Sequence, residues 1–499
     1  MSKLLSDKAA HLMTGEAAGA AIRMVTRIVL VNIWLHDKNM VGLWQMLMQT
    51  INGPVVSIFA LGLPGSLIYF VSRAGKKERS AYIAQAMIAL FVLGVLAGAA
   101  LVVSAPWISA LYKTPELTGL LPLFAVFVLF EISVTYTRRL FVLYERTLIA
   151  AGLIILDSLG LLVCFALPAW MGEGLDTCVI WLDVFAGARM VITTFLALQG
   201  LQWGNLRLSW RLFRRQMAYA APLGLSTAVP AIAGRADKMI MPFYLTTDRF
   251  AVYSIGAMQI PFAETIGTSI ATVISPRIAV MHRDGDGAGL LKLWHDAVIR
   301  ASILLLPLFA LFMAVSDKAF LLLFTDKYAD GVWLFRICLF VVPMFAAMQA
   351  NVLAALGRTK FIFGVSVCRT LLTIGATIAS IYLMGFYGPP VAMVAVGLLA
   401  RAAMFCRIKR ELKIEWADIW PVRRWLAVLS VALISGVVAW GASRALPGRL
   451  EACLLAGVVM SAVYVPLLFA FGLIDEKDRE LIRHNWKRIR RLFRRKGRE

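Results

Sequence analysis

The chain has 499 residues, of which 60% are hydrophobic, and its mean hydropathy is +0.77. A soluble domain of this length does not have such a composition, which predicts an all-α polytopic membrane protein. The formal net charge of +22 is therefore assigned first to the loops, and no nucleic-acid partner is expected. The sequence has no phosphate loop, nucleophile elbow or metal-ligand cluster, so we expect neither an enzyme nor a metal or other cofactor.

The order of apolar stretches predicts about fourteen transmembrane helices, because a spanning helix needs about 20 mostly apolar residues. With the N-terminus in the cytoplasm, the inside segments hold 35 of the 51 Lys and Arg residues and the outside loops hold 7. Positive residues concentrate on the cytoplasmic side, so both termini are predicted to be cytoplasmic. The predicted spans are 14–34, 41–71, 81–104, 117–137, 148–170, 178–200, 217–244, 250–276, 296–316, 331–355, 362–384, 389–407, 425–443 and 451–473.

The first predicted span carries two arginines, Arg23 and Arg27, near its middle. They are four residues apart and therefore share one helix face. A charge at the centre of a membrane helix costs about 2.5–3.5 kcal/mol on insertion scales, so we interpret this face as lining a water-filled cavity. Arginine keeps its proton, which makes the cavity positive and suited to an anionic cargo.

A structural interpretation of the same arginines remains open. Arg23 would then pair with an acid on a neighbouring helix and only hold the packing together. The first helix would also begin earlier, near Ser6, and this would change the depth of both arginines.

The seventh predicted span also carries buried charge, in the form of Arg235, Asp237 and Lys238. Arg235 and Lys238 are three residues apart and share a face, whereas Asp237 lies elsewhere on the helix and is free to pair with another helix. Glu264, in the eighth span, is expected to face the same cleft or to pair with Arg235. Asp157, in the fifth span, is either a proton or cation coupling site or one half of a structural ion pair.

Two short patterns repeat at an offset of about 210 residues. Leu35–Trp44 and Leu245–Tyr253 are both charged turns that lead into an apolar and aromatic helix start. Glu145-Arg146-Thr147 and Gly357-Arg358-Thr359 repeat at an offset of 212. Chance similarity between short loops is the alternative to a true repeat. An interval of six helices keeps both halves in the same orientation, which predicts a parallel repeat.

The repeat predicts the domain organisation of the chain. Residues 1–205 form an N-terminal six-helix lobe, and residues 206–410 form a C-terminal six-helix lobe. Two additional transmembrane helices occupy 411–474. The tail, 475–499, has apolar residues at helical spacing among arginines and is predicted to be a basic amphipathic helix on the anionic cytoplasmic leaflet.

The order and spacing of four short segments resemble the multidrug/oligosaccharidyl-lipid/polysaccharide transporter superfamily. Within it, the chain is similar to the polysaccharide flippases, which move undecaprenyl-diphosphate-linked oligosaccharides across bacterial inner membranes. The resemblance covers residues 1 to about 410. The segments are Val41-Gly42-Leu43-Trp44-Gln45, Leu61-Gly62-Leu63-Pro64, Arg235-Ala236-Asp237-Lys238 through Tyr253-Ser254, and Leu356-Gly357-Arg358-Thr359-Lys360.

The resemblance implies a flippase of the bacterial inner membrane that works by alternating access during surface or exopolysaccharide biosynthesis. Its partners would be the lipid-linked oligosaccharide, membrane lipids and other polysaccharide assembly proteins. If the lobes meet at a central cleft, Arg23, Arg27, Arg235 and Lys238 converge there and bind the diphosphate. Two alternatives remain, a peptidoglycan-precursor lipid flippase and an ion-coupled multidrug exporter of the same superfamily. The exporter would be expected to carry an acid in the middle of the first helix, where this chain is basic.

Overall fold

The long apolar runs form helices throughout the part of the chain that the computed structural model describes, residues 2–33, 37–201 and 208–473. No β-strand occurs in these ranges. The α-helices are α1 Ser2–Ile33, α2 Lys38–Gln45, α3 Gly53–Phe59, α4 Leu63–Arg73, α5 Lys76–Tyr112, α6 Leu117–Val134, α7 Thr137–Leu143, α8 Thr147–Trp170, α9 Leu175–Leu198, α10 Trp210–Ala233, α11 Ala236–Ile240, α12 Thr247–Gly256, α13 Pro261–Arg283, α14 Gly287–Ala314, α15 Ser316–Phe324, α16 Gly331–Leu339, α17 Gln349–Ala355, α18 Thr359–Met384, α19 Gly388–Leu412, α20 Val422–Arg444 and α21 Arg449–Ala470.

Ten helical stretches in these ranges are long and apolar enough to cross a membrane, and the broken pair α10–α11 makes eleven. The expectation of an all-α polytopic membrane protein is confirmed. Two predicted spans, 362–384 and 389–407, fall within the single helical stretch Thr359–Leu412. Neither of the predicted spans 14–34 and 250–276 is among the ten: the first lies within α1 as far as Ile33, and the second is divided between α12 and α13 by the non-helical residues 257–260. The number fourteen stays a prediction.

The contacts divide the chain into two compact units. The first comprises Met1–Phe262, Leu323–Cys338 and Thr359–Ala402. In it, α1 packs along α8, α5 along α6, and α10 against α18. The predicted lobes, 1–205 and 206–410, stay a prediction.

The two segments of the predicted repeat lie against each other in the first unit, as α2 and α12. Each helix begins with a side-chain cap: Asp37 accepts from the backbone N–H groups of two following residues, and Thr246 accepts from that of Arg249. Gly42 packs so tightly against the backbone of Thr247 that an added methyl group would overlap it. The similar sequence patterns therefore form similarly capped helices that contact each other.

The second unit comprises Ala263–Leu322, Leu339–Arg358 and Ala403–Glu499. Its core is formed where α20 packs against α14 and α21, with small residues allowing close approach of the helices. The Tyr464 hydroxyl crosses from α21 and donates to the Ile303 carbonyl at 2.9 Å. The two additional helices predicted within 411–474 correspond to α20 and α21, and the predicted tail helix lies outside the described residues.

Candidate functional site

A break in the seventh predicted span sets the geometry of the candidate site. Pro230 weakens the last turn of α10, because proline supplies no backbone N–H and crowds the preceding turn. The helix ends at Ala233, and α11 continues at an angle of 71°. Arg235 occupies the break with non-helical backbone angles, φ −126° and ψ 8°. The break therefore places an arginine at a bend within an apolar span, where its charge needs a partner.

The segment from the first half of the chain that contacts α11 is also irregular. Residues 46–52 form a π-helical segment between α2 and α3, and such segments frequently occur at functional sites. The Thr50 hydroxyl donates to the Lys238 carbonyl at 2.7 Å and so satisfies one backbone group of α11. The Arg235 guanidinium lies over Gly53, where a methyl group added to the glycine would overlap Nη1. Glycine at position 53 therefore leaves the space that this guanidinium occupies.

Three of the four predicted binding residues come together around Lys238. Lys238 is half-buried and lies within electrostatic range of the adjacent Asp237, which offsets one positive charge, and of Arg27 and Arg235. Arg27 is in turn within range of Arg23 on the same helix. In the described ranges, no carboxylate forms an ion pair with Arg27, Arg235 or Lys238. Like charges repel at such range, so this arrangement favours an anion from outside the chain.

Arg23 contacts a separate network of charged side chains. Its Nη1 donates to Ser158 Oγ at 3.0 Å, and it lies within electrostatic range of Asp157. Asp157 forms an ion pair with buried Arg189 at 3.0 Å, and Arg189 forms a second one with Glu131 at 2.5 Å. Asp157 therefore forms an ion pair, which is one of the two roles expected for it. The other role of Asp157, in proton or cation coupling, stays a prediction.

The remaining predicted acids have different surroundings. Asp237 is buried and accepts a hydrogen bond from the Tyr253 hydroxyl at 2.9 Å, so its partner is a tyrosine of α12. Among the described residues it forms no ion pair with a basic group of another helix. Glu264 is exposed on α13 and belongs to the second unit. Its pairing with Arg235 stays a prediction.

Sequence reasoning missed the polar and small residues that position the charged ones: Thr50, Gly53, Ser158 and Tyr253. Gly53-Pro54 within an apolar run indicates an irregularity, since both residues are disfavoured inside helices. The hydroxyl residues have no comparable pattern, because their partners lie more than a hundred residues away or across a helix break. Only their packing makes them part of the site.

A helical protein with broken spans and buried charges is typical of membrane transporters, and comparison with known proteins identifies the family. The family model described as polysaccharide biosynthesis protein matches residues 44–333. The chain therefore belongs to this family. No curated protein sequence matches it.

Solved structures share the fold across most of the chain. The lipid II flippase MurJ in its inward closed conformation has a TM-score of 0.74 and 12% identity, covering 94% of this chain and 99% of that one. An inward-facing multidrug resistance MATE family transporter of the MOP superfamily has a TM-score of 0.60 and 12% identity, covering 80% and 98%. A mutant of the Vibrio cholerae MATE transporter VcmN has a TM-score of 0.58 and 13% identity, covering 83% and 98%.

These comparisons confirm the coarser expectations. The chain belongs to the polysaccharide biosynthesis family, and the expectation of a multi-pass membrane protein is confirmed by its apolar helices and by the fold that it shares with these transporters. At these identities the structural matches describe the fold, and the cargo is not transferred from them.

Proposed function

We propose that the protein is a flippase that moves polyprenyl-diphosphate-linked oligosaccharides from the cytoplasmic to the outer face of the bacterial inner membrane. The observation that carries the proposal is the grouping of Arg27, Lys238 and Arg235, three basic residues with one carboxylate, that of Asp237, acting on Lys238. A diphosphate brings the negative charge that this group lacks. Arginine guanidinium groups are also suited to bidentate contact with phosphate oxygens.

The charge of the basic group formed by Arg27, Lys238 and Arg235 distinguishes between classes of cargo. A neutral or cationic drug would gain nothing from three positive charges of which Asp237 offsets at most one, which argues against the multidrug exporter. A peptidoglycan precursor carries a diphosphate as well, so the basic group alone fits both lipid-linked cargoes. Membership of the polysaccharide biosynthesis family supports the oligosaccharide, destined for surface or exopolysaccharide.

The proposed mechanism is alternating access with the termini in the cytoplasm. The basic group takes the diphosphate from the inner leaflet, the prenyl chain stays in lipid, and the protein releases the cargo at the outer face. The cargo must bind the two states with different affinity, since a ligand shifts a conformational equilibrium only by that difference. The broken α10–α11 pair is the element that we expect to change its angle, because it carries Arg235 and Lys238 at a bend.

The test is genetic complementation in a bacterium from which the gene has been deleted. Surface polysaccharide is scored after complementation with the wild type, Arg27→Ala, Arg235→Ala or the matched control Arg249→Ala, with membrane expression checked for each. Arg249 is an exposed arginine at the start of α12 and belongs to neither charged group. We expect the deletion to abolish surface polysaccharide, the control to restore it, and the two site variants to fail.

Other outcomes would assign a different cargo. Unchanged polysaccharide together with altered drug tolerance in the deletion strain would support the exporter. Rescue of a strain that lacks its peptidoglycan-precursor flippase, without any effect on polysaccharide, would support that alternative. Full activity of both arginine variants would remove the basic group from the mechanism.

A further inference from the structure

A groove with a volume of about 280 Å³ lies between the first part of α5 and the start of α10. Its apolar walls are formed by Ile88 and Ala89 of α5 and by Leu208, Trp210 and Phe213. Leu208 and Trp210 are strongly exposed. Ligand pockets in proteins begin at about 300 Å³ and are mostly apolar, so the groove has the size and the lining of a small ligand site.

The groove also has a polar side chain with an unused acceptor. Gln85 lines it and is 7% exposed, and its Nε2 donates to the Ser209 carbonyl at 2.7 Å. The Oε1 of Gln85 is buried and accepts no hydrogen bond from the described residues. A buried acceptor without a partner costs about 1–3 kcal/mol, so a donor from a bound molecule would stabilise this side chain.

Positive charge lies at the start of α10, beside the groove. Ser209 is the N-cap residue of α10, and its side chain caps none of the first N–H groups, which favours an anion at this helix end. Arg211 and Arg214 are exposed in the first turns of α10. Neither forms an ion pair within the described ranges. Arg214 follows Trp210 by four residues and therefore shares the helix face that lines the groove.

The predicted spans place the groove at the membrane surface. Gln85 lies four residues after the start of the predicted span 81–104, and Phe213 lies four residues before the start of 217–244. An exposed tryptophan such as Trp210 is typical of this level. The loop charges predict that this surface is the cytoplasmic one, whose leaflet carries anionic lipids.

We propose that the groove binds one molecule of an anionic phospholipid, phosphatidylglycerol. An acyl chain lies along Ile88 and Ala89. The phosphate accepts hydrogen bonds from Arg214 and the first N–H groups of α10, and a glycerol hydroxyl donates to Gln85 Oε1. Phosphatidylcholine has no such donor, and phosphatidylethanolamine has no net charge. The site does not depend on the cargo, but α10 leads to the break at Arg235, so the lipid anchors one end of the element that we expect to change its angle.

The experiment titrates the purified full chain in a neutral detergent with phosphatidylglycerol or phosphatidylcholine of the same acyl chains, and native mass spectrometry counts the bound lipids. We expect the wild type to bind its first phosphatidylglycerol roughly 10- to 100-fold more tightly, which is the usual effect of a charge-assisted hydrogen bond. Arg214→Gln should lose most of this preference, and the matched control Arg423→Gln should keep it. Arg423 is an exposed arginine in the first turn of α20, on the same predicted side of the membrane.

A second variant tests the groove apart from the charge. Ala89→Phe fills part of the groove without changing any charged group, so it should weaken the binding of phosphatidylglycerol. Undiminished binding by Ala89→Phe would overturn the proposal. Equal weakening by Arg214→Gln and Arg423→Gln would overturn it as well, because the lipid would then follow the overall positive charge. Equal affinity for phosphatidylethanolamine would show that the site does not select an anionic lipid.

The diphosphate and prenyl chain of the proposed cargo offer similar chemistry, and competition distinguishes the two lipids. Undecaprenyl diphosphate is added at the same concentration as phosphatidylglycerol. Displacement of the first bound phosphatidylglycerol would assign the groove to the cargo and overturn the proposal. The expected result is that both lipids are bound to the chain together.

Discussion

Gly53→Ala is expected to impair function while leaving the fold intact. Gly53 is buried at the start of α3, and Arg235 Nη1 lies where the new methyl group would be. The guanidinium must withdraw to the 3.4–4 Å of ordinary van der Waals contact. Hydrogen bonds between heavy atoms span only about 2.7–3.2 Å, so a guanidinium displaced in this way would lose its contact with the diphosphate of the proposed cargo.

The magnitude follows from the two effects of the substitution. Moving the end of a flexible side chain is cheap, and alanine is favoured over glycine in a helix by roughly 0.5–1 kcal/mol, so the free energy of unfolding should change by less than about 1 kcal/mol. Loss of one charge-assisted hydrogen bond costs about 1.5–3 kcal/mol, which corresponds to roughly 10- to 100-fold weaker binding of a polyprenyl diphosphate.

The assay compares Gly53→Ala with Gly152→Ala by binding of a polyprenyl-diphosphate-linked disaccharide and by thermal unfolding in detergent. Gly152 is a helical glycine of α8 whose added methyl group would meet no atom within 4 Å. In an Arg235→Ala background, Gly53→Ala should have no further effect on binding. Equal binding by the two glycine variants, or an undiminished effect of Gly53→Ala without Arg235, would refute the reasoning.

Three further predictions concern stability. Arg189→Gln should lower the free energy of unfolding by about 1–3 kcal/mol, because it removes the guanidinium that pairs with two partly buried carboxylates; thermal unfolding measures this, and adding Glu131→Gln should recover part of the loss. Tyr253→Phe should cost about 1–3 kcal/mol by removing the donor to buried Asp237, and an unchanged unfolding temperature would show that the hydrogen bond contributes nothing. Gly42→Ala should cost about 1–3 kcal/mol, since its methyl group meets backbone that cannot withdraw, and normal expression and stability of this variant would contradict the close contact between α2 and α12.

Local patterns in the sequence were enough to predict the class of the protein and the positions of many of its helices. Apolar runs of sufficient length have few alternatives to helix in a membrane, because every backbone group must be satisfied within the segment. The same reasoning placed Arg23 and Arg27 on one face of the first helix. The repeat offset of about 210 residues also related the segments that form α2 and α12, whereas their similar side-chain caps are seen only in the structure.

Tertiary structure decided which charged groups meet. Arg27 lies within electrostatic range of Lys238, whereas Arg23, one turn away, contacts Ser158 and the network around Asp157. Helical periodicity fixes the face on which a side chain lies but not the helix that packs against that face. The two arginines differ because α1 has different neighbours at successive turns, and those neighbours are more than a hundred residues away in the chain.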